Sequence, residues 1–182
     1  MTEISARYRR LSDEFTRRVE AVPPDGWDNP SPCEDWTTRD VVRHVIETNQ
    51  GMPETVGVKI SLKGSVDDDP VAAWAELRDA TSALLEDPAR ASLEYDGYFG
   101  RTSLEKTVDT FLGLDLLVHG WDVARASGQD ETLPAAKVAR VLADAEALGD
   151  NLRMGGVCGP AVEVPADASD QDRLLGLLGR TP

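Results

Sequence analysis

The stretch FLGLDLLVHGWDVARA, Phe111 to Ala126, is apolar on nearly every face of the helix that its composition favours. Such a helix is buried on most of its surface, so other helices must pack around it. Into this apolar background the sequence sets Asp115, His119 and Asp122. At about 100° per residue, His119 lies about 40° to one side of Asp115, and Asp122 about 20° to the other. The three form one narrow polar strip. Val108, Phe111, Leu112 and Ala126 continue it above and below, which turns the strip toward the bundle interior.

Further helices follow from periodicity on either side. Ile4, Tyr8, Leu11, Phe15, Val19 and Val22 recur at spacings of three and four, which predicts a helix over 3–22 stopped by Pro23 and Pro24. The stretch from Pro23 to Trp36 is rich in Pro, Asp, Gly and Asn and reads as an ordered loop. Thr37 is a good N-cap, and Asp40 gives an acidic first turn to a helix over 38–50, ended by Gly51 and Pro53. Asp67 to Pro70 opens a third helix over 70–87, closed by Pro88, and the fourth runs over 103–127 to a C′ glycine, Gly128. Residues 92–100 suit a short strand or a closed loop. Pro134 opens an additional helix over 134–149, and the tail 156–182 is irregular apart from a short helix over 170–179. No pair of convincing β runs is present, and most connections are short enough to join neighbouring helices. The expected architecture is a single all-α domain, 1–182, a helical bundle with extra C-terminal helices and an irregular tail.

The charge balance narrows the function classes. The 182 residues carry 33 Asp and Glu against 19 Lys and Arg, a formal net charge of −14, with no basic patch to offset it. That repels phosphate backbones and anionic lipid, so neither a nucleic-acid nor a membrane partner is expected. No secretory signal or membrane-length apolar run is apparent, which makes the expected location cytoplasmic. Cys33 and Cys158 are far apart and in no CxxC pair, so a disulfide framework and a cysteine-based zinc site are both excluded at this level.

Two carboxylates and an imidazole in an apolar interior need compensation. A divalent cation supplies it, because spacing of i and i+4 brings Asp115 and His119 to one side of the helix, one turn apart. One helix provides too few ligands, and the only other histidine, His44, sits on the second helix beside Val41, Val45 and Thr48. A buried ion pair between Asp115 and His119 explains the same spacing without a metal. Cys33, in the loop before that helix, reads as a small buried residue or a metal-proximal thiol, with the first preferred. Trp36 and Trp121 read as packing. Asp67 to Asp69 is an exposed acidic helix start without the further ligands of a calcium loop.

Three segments carry a resemblance: PSPCEDWTTRDVVRHV (Pro30 to Val45), LDLLVHGWDVARASGQD (Leu114 to Asp130) and DRLLGLLGRTP (Asp172 to Pro182). Together they resemble actinobacterial proteins of the DinB-like superfamily, in the branch that includes the N-terminal domain of mycothiol-dependent maleylpyruvate isomerase. The resemblance implies a four-helix bundle with one long crossover and a divalent metal between helices. Its ligands would be His44, Asp115 and His119, with Asp where the isomerase branch has Glu. Asp122 would substitute for Asp115 or orient an imidazole. Zinc is the expected ion, nickel or ferrous iron also suiting the donors, and the chemistry implied is activation of a thiol such as mycothiol for transfer to a small-molecule substrate. The isomerase carries a C-terminal domain without counterpart in these residues, so maleylpyruvate isomerisation itself is not implied. The alternative is a non-catalytic metal- or ligand-binding bundle of stress-response type. Apolar faces on the helices leave room for a homodimer.

Overall fold

A computed structural model describes residues 2–97, 100–156 and 158–182, with the backbone alone at 154–156. The Thr2 side chain accepts the Ser5 N–H and starts helix α1, Glu3–Glu20, whose stripe buries Tyr8, Phe15 and Val19. Helix α2, Thr38–Gly51, begins with a reciprocal cap. Thr37 Oγ1 accepts the Asp40 N–H at 3.2 Å, and the Asp40 carboxylate accepts the Thr37 N–H at 3.0 Å and its hydroxyl at 2.6 Å. Gly51 does not end the helical path. The chain runs on into a 3-10 turn, Met52–Val56, which Gly57 terminates at φ 75°, a conformation that glycine adopts without strain.

Asp69 caps α3, Pro70–Glu86, by accepting the Ala72 N–H. Pro88 then opens a single turn, α4, Pro88–Ala91, besides closing α3. A hairpin follows, β1 Glu94–Gly97 against β2 Gly100–Ser103, antiparallel with Glu94 opposite Ser103. The sequence reading allowed one short strand at 92–100 but no pair. The second strand, Gly-Arg-Thr-Ser, has no apolar alternation to reveal it, and Tyr98 and Phe99 lie outside the described residues.

The helix expected over 103–127 is divided. It comprises α5, Leu104–Thr107, a π turn, Val108–Leu112, and α6, Gly113–Ala126. A π turn takes more residues per revolution than an α turn, so a uniform 100° count does not carry across it. Val108 and Leu112 are buried, whereas Phe111 is half-buried. Arg7 braces this turn from α1: Nε donates to Asp109 Oδ1 and Nη2 to Oδ2, both at 2.8 Å.

The chain forms two compact units, residues 1–129 and 130–182. In the first, α1 and α2 each pack against both α3 and α6. The two therefore face each other across the bundle, where the Tyr8 hydroxyl donates to Asn49 Oδ1 at 3.3 Å. The connection 21–37 is thus a crossover between diagonal helices. Phe15, Val45, Trp74, Leu77, Leu116 and Val123 fill the centre. Phe15 meets Trp74 edge-on at 4.8 Å, and the Trp74 indole N–H donates to Thr16 Oγ1 at 2.8 Å. Burying each such large side chain contributes roughly 1.5–3 kcal/mol.

The second unit holds α7, Ala135–Leu148, a 3-10 turn, Gly149–Gly156, and α8, Asp170–Leu177, with α7 packed on α8. Pro134, expected as the first helical residue, stands instead at the N-cap of α7, one place before the helix begins at Ala135. The Val162 N–H donates to the Gly176 carbonyl at 2.8 Å, and a Cβ at Gly176 would lie 2.7 Å from the Val162 oxygen. Only glycine admits that approach. Among the described residues no helix is long and apolar enough to cross a membrane. The architecture is all-α apart from the hairpin, as the sequence requires.

Candidate metal centre

The site forms where α2 packs against α6. The cap at Thr37 fixes the start of α2, and the stripe of Val41, Val42, Val45 and Ile46 faces the core. His44 lies at the edge of that stripe, with its side chain 38% exposed. On α6, Asp115 and His119 are one turn apart and almost enclosed, and the side chain of Asp122 is fully buried. Asp115 Oδ1 lies 3.3 Å from His119 Nε2 and 3.7 Å from His44 Nε2. The ligand atoms of His44, Asp115 and His119 all fall within 4.8 Å of one another. The aspartate, shorter by a methylene than the glutamate of the isomerase branch, still reaches both rings.

The two carboxylates, interchangeable in the sequence reading, take different places. Asp115 faces Nε2 of both imidazoles, whereas Asp122 Oδ2 sits 2.9 Å from the opposite nitrogen of His119, Nδ1. A carboxylate on Nδ1 holds its proton and turns the Nε2 lone pair toward Asp115 and His44, the arrangement found behind metal-bound histidines. Burial works against charge on both Asp115 and His119, yet their mutual attraction overrides it. Asp115 is held well below the usual carboxylate range by His119 and His44, and His119 well above the usual imidazole range by Asp115 and then Asp122. His119 thus lies between two carboxylates, Asp115 on its Nε2 side and Asp122 on its Nδ1 side. Asp115 Oδ2 remains buried with no hydrogen-bond partner.

The residues present fit a divalent ion. Ligands about 2.0–2.2 Å from a tetrahedral ion stand about 3.3–3.6 Å from each other. The observed 3.3 Å falls in that span and 3.7 Å lies 0.1 Å beyond it, and an ion would take the place of the Nε2 proton while giving the orphaned Asp115 oxygen a charge to face.

Two further groups come from the loop before α2. Trp36, expected as packing, lies over both rings, its centroid 4.9 Å from that of His44 and 6.2 Å from that of His119, stacked at 27° on the latter. Cys33 is half-buried, and its thiol donates to Asp122 Oδ2 at 3.4 Å. A tight turn sets both: the Trp36 N–H donates to the Cys33 carbonyl at 3.1 Å, and Asp35 between them adopts φ 63°. Aspartate tolerates this left-handed conformation better than most residues. The loop also borders a cleft of about 420 Å³ whose walls include Cys33 and Trp36. Loop composition gave no signal for the direction of Cys33.

Comparison with known proteins bears on the whole of this region. The family described as mycothiol maleylpyruvate isomerase N-terminal domain matches residues 8–124, which include every side chain of the centre. Two proteins of Mycobacterium tuberculosis, from strains CDC 1551 and H37Rv and both named only as uncharacterized, are each 28% identical over 179 residues, covering 96% of either chain. No solved structure matches the chain significantly.

Proposed function

We propose a function for this chain, which belongs to the mycothiol maleylpyruvate isomerase N-terminal domain family, as a divalent-metal enzyme that transfers a low-molecular-weight thiol such as mycothiol to an electrophile. His44, Asp115 and His119 would hold the ion, with zinc the best match to two imidazoles and a carboxylate, and nickel or ferrous iron compatible with the same set. The observation that carries this reading is the convergence of two Nε2 atoms and one carboxylate oxygen from two helices, with the second oxygen of Asp115 buried and unpartnered. When bound, such an ion is a Lewis acid that lowers the pKa of water or a thiol beside it.

The remaining work falls to the chain. Asp122 accepts the Nδ1 proton of His119 and so fixes which nitrogen faces the site. Asp115 offsets positive charge in a buried setting. Trp36 covers the two rings and keeps water from that face. His44 is 38% exposed against 10% for His119, so a thiol and its electrophile approach from the His44 side.

The test uses the full chain incubated with zinc or nickel, desalted and analysed for metal, then assayed for conjugation of low-molecular-weight thiols with a panel of electrophiles. One tightly held ion per chain and turnover, both lost in His119→Ala, are expected. Absence of metal from the wild-type protein overturns the reading. Metal uptake without turnover replaces it with a non-catalytic metal-binding bundle.

A further inference from the structure

His119 takes part in a second set of donors. Cys33 Sγ, a nitrogen of His119 and a carboxylate oxygen of Asp122 also lie within 4.8 Å of one another, the ring nitrogen facing Asp122 being Nδ1. Sγ to Oδ2 is 3.4 Å and Nδ1 to Oδ2 is 2.9 Å. Asp122 is fully enclosed, and the turn through Asp35 holds the thiol over it. This trio has a different chemical character from His44, Asp115 and His119. A sulfur replaces one imidazole, and thiolate ligands favour soft, thiophilic ions over hard ones.

We propose that Cys33, His119 and Asp122 form an alternative site for a soft divalent cation such as cadmium, and that it excludes occupation of the His44, Asp115 and His119 set because both draw on one imidazole. A neutral imidazole carries one proton and one lone pair. An ion on Nε2 requires the proton on Nδ1, where it is donated to Asp122. An ion on Nδ1 requires the proton on Nε2, where Asp115 Oδ1 at 3.3 Å accepts it. Filling the softer site releases the Cys33 thiol proton to solvent and moves the imidazole proton from Nδ1 to Nε2. Asp122 then gives up two hydrogen bonds and gains a metal bond. A thiophilic ion would thus switch the centre from a nitrogen- and oxygen-ligated form to a sulfur-ligated one. The inference shares His119 with the proposed function but needs neither its thiol nor its electrophile.

Cadmium is the probe, because thiolate-to-cadmium charge transfer absorbs in the ultraviolet and neither imidazole nor carboxylate gives that band. The full-length wild type, Cys158→Ser, Cys33→Ser and Asp115→Ala are titrated, each checked for helicity by circular dichroism. The band is expected in wild type, in Cys158→Ser, where Cys33 is the remaining thiol, and in Asp115→Ala, where the first set is broken. Cys33→Ser should lose the band and bind cadmium about tenfold or more weakly. In zinc-loaded wild type, each cadmium that enters should release one zinc to a chromophoric indicator. No band in Cys158→Ser overturns the site. A full band with zinc retained overturns the exclusion. Because Asp115→Ala separates the two sets, a chain that binds no zinc but shows the cadmium band disproves the proposed function alone.

Discussion

Two aspartates, Asp115 four positions before His119 and Asp122 three after it, look alike in the sequence and act on opposite nitrogens of one ring in the fold. That division makes a residue-level prediction. Asp122→Ala leaves His44, Asp115 and His119 in place but frees the His119 ring to turn and to exchange its tautomer. Zinc affinity should fall about 10–100-fold, read by competition with a chromophoric chelator. Asp122→Asn keeps an oxygen that accepts the Nδ1 proton and should fall less. Equal zinc affinity in wild type and Asp122→Ala would show that the carboxylate does not orient the ring. Asp115 and His119 were legible because i, i+4 spacing on a buried helix leaves little freedom about where the side chains meet. His44 was legible because the chain has just two histidines. Cys33 and Trp36 were not, because a loop has no periodicity to tell inside from outside, and their direction depends on the left-handed turn at Asp35.

At the scale of elements, the start of α2 positions His44 two turns later, so its cap matters to the site as well as to the bundle. Thr37→Ala removes the side-chain acceptor for the Asp40 N–H and should destabilise the protein by about 1 kcal/mol in chemical denaturation. Hydrogen bonds from the Thr37 hydroxyl and N–H hold the Asp40 carboxyl below the usual carboxylate range. A pKa lowered by folding stabilises the protein above the unfolded value, about 3.9, and that contribution fades as pH falls through the folded value. The stability deficit of Asp40→Asn should therefore narrow as the pH is taken from 7 toward 3. A deficit that stays constant would mean the ionised carboxylate is not what the cap uses. The π turn at 108–112 was hidden for the opposite reason. Its residues suit an α-helix well, and the turn is set by a distant contact, the bidentate pair between Arg7 and Asp109. Both side chains are largely shielded, so a double-mutant cycle of Arg7→Ala and Asp109→Ala should give a coupling energy of about 1–2 kcal/mol. Strict additivity would remove the pair as the brace.

For the whole molecule, the all-α class followed from patterning alone, because strongly periodic helices separated by Pro and Gly leave few other ways to bury their stripes. The diagonal placement of α1 and α2 did not, since pairing in a bundle depends on which stripes fit together and not on sequence order. The placement also confines the metal question to residues 1–129, where all the donors lie. An ion bound by the folded state alone, present at a hundredfold its Kd, stabilises that state by about 2.7 kcal/mol. For a unit of this size that raises the melting midpoint by on the order of 10 °C. Scanning calorimetry of zinc-loaded and chelator-treated protein should show that difference, and His119→Ala should abolish it. Hydrogen exchange locates the effect: zinc should slow exchange at the amides of α2 and α6 and leave α7 and α8 at their metal-free rates. If chelator changes neither the midpoint nor the exchange, then His119, bonded to Asp122 and facing Asp115, compensates the buried carboxylates by itself. In that case the strip read from FLGLDLLVHGWDVARA is an ion pair internal to α6.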